Sequence, residues 1–318
     1  MTTTLRAYAL KRLFWAVPVL LLVSFIVFGL VRLVPGGPAV VMLGADASPA
    51  QLEAVRAELG LDRPVSVQYV EYLTDVLRGD LGRSYVDDRR VSAAVAARLP
   101  TTLFVTLAGF VVSLAVAVPA GTLSAVKRGT AWDGVGLTFG LLGVSVPNFW
   151  LGIVLLLAVG VPVDFVPVAG YVSPLDDPVE GLRYLLLPGV TLGTAMAAVV
   201  TRMLRSELIE ELGREYLDAV RMKGVSEART LRHAMKNAFV PVVTVIGMQF
   251  GYLLGGSIVV EVVFSIPGMG RLLVNAIASR DYIMLQGIVL VYTTFFVLVN
   301  LVVDLTYFQL NPRLRGEG

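Results

Sequence analysis

The sequence predicts an all-α, polytopic membrane protein with six transmembrane helices. Two observations carry that expectation. Of 318 residues, 56% are hydrophobic and only 16% charged, with a mean hydropathy of +0.77, whereas a soluble domain has about a quarter of its residues charged. The charges are also gathered between six uncharged windows: Leu13–Val31 (19 residues), Thr101–Val126 (26), Gly134–Val163 (30), Tyr184–Thr201 (18), Ala238–Val260 (23) and Tyr282–Val303 (22). A hydrocarbon core about 30 Å thick takes roughly 20 helical residues to cross, and a mid-membrane charge costs about 2.5–3.5 kcal/mol. Each window therefore reads as one span.

Arg6, Lys11 and Arg12 precede the first window, as they would in a signal peptide. Its apolar stretch is longer than a signal core of about 7–15 residues, and "VRLVPGGPAV" puts prolines where small residues would mark cleavage. It reads as a retained membrane helix. Residues 34–100 read as a helical insertion too small to be a second domain, so residues 1–318 form a single transmembrane domain. Within the insertion, "SPAQLEAVRAELG" opens with Ser48 as cap, Pro49 at the first helical position and Gln51 three residues after the cap, and it stops at Gly60. A second helix is predicted over Val67–Arg78, ending at Gly79.

Prolines stand inside several spans, at Pro18, Pro119, Pro147 and Pro188. Each removes a backbone donor and favours a kink, although proline is also simply commoner in membrane helices.

The charged stretch "EYLDAVRMKGVSEARTLRHAMKN", Glu215 to Asn237, interrupts the apolar pattern inside a loop spanning 202–240. Leu208, Ile209, Leu212, Tyr216, Ala219 and Val220 recur at helical spacing, with Glu207, Glu211, Arg214, Asp218 and Arg221 on the opposite face. This first helix should end at Lys223–Gly224, and Ser226 should cap a second whose stripe is Leu231, Ala234, Met235 and Ala238. Such a hairpin suits a link lying on the membrane surface or a plug for a soluble partner. Nucleic-acid reading is disfavoured, because acidic residues interleave the basic ones and the net charge is only +2.

Short-loop Lys/Arg bias sets the orientation. With the N-terminus cytoplasmic, 15 basic residues including all four lysines lie inside, and outside the long loop only Arg32, Arg183, Arg271 and Arg280 oppose them. The protein is therefore expected in the cell membrane, multi-pass, with both termini cytoplasmic and the 34–100 insertion extracytoplasmic.

Catalytic chemistry is sparse. There is no cysteine and only one histidine, His233, which excludes thiolate and His-cluster metal sites. No phosphate loop and no His-Glu-x-x-His motif occur, so no cofactor is expected and the chain cannot hydrolyse ATP itself. Asn148, Gln249 and Asn300 are candidates to line a path, with interhelical hydrogen bonding the alternative. Asp304 shares a helix face with Asn300 and reads as an ion-pair partner for Arg313 or as an ionisable site. Glu261 and Arg271 flank "SIPGMG" and read as loop bracing. A secondary transporter would want more mid-membrane charge than Asp304 supplies, and an intramembrane hydrolase would want a second acid.

"Asp218-Ala219-Val220-x-x-x-Gly224", with Pro241 seventeen residues later, resembles the Glu-Ala-Ala-x-x-x-Gly loop of ABC importer permeases. "LGLDRPVSVQYVEYLTDVLRGDLGRSY", "EVVFSIPGMGRLLVNAIASRDYIMLQG" and "NLVVDLTYFQLNPRLR" are similar to the B-type permease subunit of the dipeptide, oligopeptide and nickel importers. The departures are Asp for Glu, Val for the second Ala, and Gly37 and Asn311 where the family often has an acid. The resemblance implies the type I permease fold and half of an import path. It also implies a homologous second permease, cytoplasmic ATPase subunits and an extracytoplasmic substrate-binding protein as partners. It makes 202–240 the coupling loop, with Glu215, Tyr216, Asp218, Ala219, Arg221, Gly224 and Ser226 facing the ATPase. Peptides are the commonest cargo in that family, with nickel chelates and short saccharides as others.

Overall fold

Residues 5–33, 39–40, 43, 47–58 and 60–310 are described in the computed structural model. Eleven α-helices run through them: α1 (Leu5–Arg32), α2 (Pro49–Glu58), α3 (Val65–Leu77), α4 (Val91–Val126), α5 (Ala131–Ser145), α6 (Asn148–Leu155), α7 (Pro178–Leu212), α8 (Glu215–Met222), α9 (Glu227–Val263), α10 (Met269–Ala278) and α11 (Tyr282–Leu310). Among the described residues there is no β-strand beyond an isolated bridge between Arg83 and Arg90.

Five helices, α1, α4, α7, α9 and α11, are long and apolar enough to cross a membrane. The third window, Gly134–Val163, departs from the expected single span: α5 and α6 meet at a bend of 107°, and α6 runs on into a π-helical turn at Leu156–Gly160. Pro147 explains the break. It has no N–H to give the carbonyl of Gly143, and its ring pushes Val146 out of the helical region, to φ −83 and ψ 121. Pro18, Pro188 and Pro241 lie within helices that continue past them.

The chain divides into two compact units. One contains residues 5–10, 102–266 and 298–310 among those described. Its axis is α7, whose Leu192, Met196, Val200, Leu204 and Leu208 repeat every fourth residue and are all buried. Lipid tails are as apolar as leucine, so close packing rather than water expulsion holds such a core together. Glycines permit that approach. A Cβ on Gly193 would stand 2.5 Å from the Gly109 carbonyl of α4, and Gly136, Gly140 and Gly143 of α5 abut Ser124, Arg202 and Ala198.

The buried charge of this unit is paired. Asp133 accepts from Arg205 at both oxygens (2.6 and 2.9 Å), from the Ser124 hydroxyl at 2.7 Å and from the Gly129 amide at 2.9 Å. Glu261 is fully buried and accepts from the Thr102 hydroxyl at 2.6 Å. Tyr8 of α1 stacks on Phe308 of α11 with ring centroids 4.7 Å apart.

The other unit contains residues 11–101 and 267–297, less those outside the description. The predicted capping box is present: the Ser48 amide donates to Gln51 Oε1 at 3.0 Å and the Gln51 amide to Ser48 Oγ at 3.4 Å. α3 does not project freely. Tyr69 packs edge-on and Tyr72 tilted against Phe28 of α1, and Gln68 accepts from Arg32 at 2.5 Å. Ser84 donates to Asp281 at 2.5 Å, while Asp281 accepts from the Met284 amide and so caps α11.

Candidate functional site

The loop between α7 and α9 folds into an elbow built on a short helix. α7 ends at Leu212, and Gly213 and Arg214 lead into α8. The amphipathic helix expected to run unbroken from Leu208 to Val220 is thus two helices. The second arm is not separate either, because α9 continues from Glu227 into the next span. Between them, Lys223 caps α8 and Gly224 adopts φ +75, a left-handed conformation that costs glycine little. Ser226 occupies the N-cap position of α9, but its side chain makes no capping hydrogen bond.

What holds the elbow is a buried pair of residues, Leu217 of α8 and Glu211 near the end of α7. Leu217 is fully buried against Ala125, Leu208, Ala234 and Ala238. Glu211, expected on the solvent face, is buried instead. Its carboxylate accepts from the Tyr216 hydroxyl at 2.5 Å and from Asn237 Nδ2 at 2.8 Å, and it pairs with Arg214 at 2.9 Å. Asn237 also donates to the Tyr216 hydroxyl at 2.9 Å, closing a ring of hydrogen bonds across the end of α7, α8 and the start of α9. Burial, then the Glu211 carboxylate, push the Tyr216 phenol above its ordinary pKa. The helical repeat hides Leu217 because the break at Gly213 shifts the phase of everything after it, and it hides Glu211 because the residues that cover it, Tyr216 and Asn237, lie beyond that break.

The side of α8 opposite Leu217 is open. Glu215, Asp218, Ala219, Gly224 and Ser226 are exposed, Tyr216 keeps 39% of its surface exposed while its hydroxyl stays in the ring, and Arg221 is half-buried, held by Asp218 at 2.8 Å with Glu227 at 3.7 Å. Met222 at the tip is 83% exposed; it was missed because a lone methionine among charges carries no periodic signal. A Cβ on Gly224 would meet nothing within 4 Å. The elbow is therefore a short, internally braced projection with an apolar tip and charged flanks.

The profile of the family described as "Binding-protein-dependent transport system inner membrane component" matches residues 117–316, which include the whole elbow. The chain belongs to that family. A companion profile, "Binding-prot-dependent transport system membrane comp, N-term", matches residues 5–106. A peptide transport system permease protein of Brucella abortus (strain 2308) is 42% identical over 312 residues, covering 98% of this chain and 99% of the relative. The glutathione transport system permease protein GsiC of Salmonella typhi is 42% identical over 309 residues, covering 97% and 98%. As an inner membrane component of this family, the chain is a multi-pass permease subunit of an ABC importer with the type I fold.

The candidate path residues of this permease lie on three helices, α6, α9 and α11. Asn148 sits at the start of α6 with its amide 3.4 Å from where a Gly256 Cβ would stand. Gln249 lies seven residues before Gly256 on α9 and is half-buried. Asn300 and Asp304 lie on α11. Arg313, Gly37 and Asn311 are outside the described residues.

Proposed function

We propose that this permease supplies half of the translocation path of an ATP-driven importer of di- and oligopeptides, and that the exposed side of α8 seats in a cleft of a separate cytoplasmic ATPase. The carrying observation is the braced elbow. Exposed side chains on α8 are tied through Leu217 and the Glu211–Tyr216–Asn237 ring to α7 and α9, so a push on the projection is delivered to two spans. ATP shifts the equilibrium only through tighter binding to one conformation of the complex, and a floppy link would dissipate that difference.

The peptide reading rests on relatives named for peptide and glutathione transport. A homologous second permease would complete the path and an extracytoplasmic binding protein would deliver cargo. The stack of Tyr8 on Phe308 brings the start of α1 and the end of α11 together, which favours an even number of crossings and hence one crossing by the bent α5–α6 pair. Together with the basic residues of the elbow, this supports cytoplasmic termini.

The test uses the reconstituted complex. Gly224→Trp adds bulk to a position that faces open space in this chain but would clash inside a cleft. Gly224→Asn, a residue tolerant of left-handed backbone, controls for strain. Stimulated ATPase activity should be lost in Gly224→Trp and largely kept in Gly224→Asn, with membrane insertion unchanged in both. Full stimulation in Gly224→Trp would overturn the docking role.

A further inference from the structure

The break between α5 and α6 falls at the middle of its 30-residue uncharged window. Irregular backbone at membrane depth is tolerated only where protein buries it or where it lines a water-filled cavity. Here Ser145 and Pro147 are exposed and Asn148 is half-buried. The first bond of α6 runs from the Leu151 amide to the Pro147 carbonyl at 3.0 Å, so the amides of Asn148, Phe149 and Trp150 have no helical partner.

Asn148 leads to a second observation on α9. Its amide abuts Gly256, and one turn earlier stands Tyr252, 76% exposed and near the centre of the 23-residue window Ala238–Val260. Tyrosine belongs at the membrane interface, where its hydroxyl is wet; at mid-span an exposed phenol facing lipid would have no partner. Beside it, Gly255 is exposed and a Cβ there would meet nothing within 4 Å.

We infer that the α5–α6 break and the Tyr252–Gly256 segment of α9 form a hydrated wall of the translocation path, with Ser145, Asn148 and Tyr252 contacting cargo. A dry seam against another helix would strand the phenol and the freed backbone groups, whereas water and a peptide's own amides satisfy them. Neither uncharged window supplies a charge, so the wall reads the cargo's backbone and is indifferent to side-chain charge. This inference rests on the importer reading above.

The chain has no cysteine, so Tyr252→Cys and Ser145→Cys each introduce its single thiol. The assembled transporter is placed in lipid nanodiscs, with and without ATP plus vanadate, and treated with a cationic methanethiosulfonate. Only the thiolate reacts, so the rate reports contact with water; at least one nucleotide state should give a rate within about tenfold of Leu77→Cys at the exposed end of α3. Ser145→Cys is nearly isosteric and keeps the test alive if Tyr252→Cys does not assemble. Thiols that stay inert in both states overturn the wall. That result in a complex with nucleotide-responsive ATPase leaves the docking elbow standing, whereas a permease that purifies without an ATPase fails the importer reading itself.

Discussion

Glu211 and Tyr216 show how one hydrogen bond gives a surface helix a fixed seat. The phenol donates to a carboxylate that is itself held by Arg214 and Asn237. Burial and the nearby negative charge favour the neutral phenol and raise its pKa. The sign follows: below the ordinary value of about 10 the bond contributes fully. As pH climbs, the unfolded phenol ionises first, and the stabilisation is lost through the raised folded value. Burial also raises the Tyr72 and Tyr85 phenols, so an ultraviolet titration of the purified permease should show several tyrosines ionising above the usual range, one of them lost in Tyr216→Phe. In Glu211→Gln it should move back down; no movement would show that the carboxylate does not seat α8.

At the scale of elements, glycine decides how closely the spans approach. A Cβ at Gly193 of α7 would lie 2.5 Å from the Gly109 carbonyl and 3.1 Å from the Ser113 amide of α4. Both are backbone atoms, so no side chain can turn away, and the helices must part. Gly193→Ala should cost about 1–3 kcal/mol, read as a lower thermal midpoint in detergent. Gly29→Ala on α1, where nothing lies within 4 Å, should stay within about 1 kcal/mol of the parent. Equal midpoints would mean that α4 and α7 do not meet at Gly193. Length and apolarity read from the sequence identified α1, α4, α7, α9 and α11, but they merged α5 and α6, because a window average does not register the single missing N–H of Pro147.

For the whole molecule, the proposed arrangement puts the elbow and the 34–100 segment on opposite faces of the bilayer. Leu77 ends α3 and is 87% exposed, and Ser226 is exposed on the elbow. In spheroplasts of cells expressing the permease without its ATPase, an impermeant maleimide should label Leu77→Cys at once and Ser226→Cys only after permeabilisation. The reverse pattern would invert the topology and remove the elbow from any cytoplasmic partner.

The sequence by itself determined the membrane class, five of the long spans, the capping box at Ser48, the glycine turn at Gly224 and the place of the elbow. All of these rest on local chemistry: hydropathy over twenty residues, a side chain reaching its own backbone, a φ that glycine adopts at little cost. Tertiary structure alone decided that Glu211 is buried, that Leu217 anchors α8, that Asp133 and Arg205 tie α5 to α7, and that Asn148 meets Gly256. Those contacts join residues far apart along the chain or beyond a break in helical phase, and only the packed backbone brings them within a few ångströms.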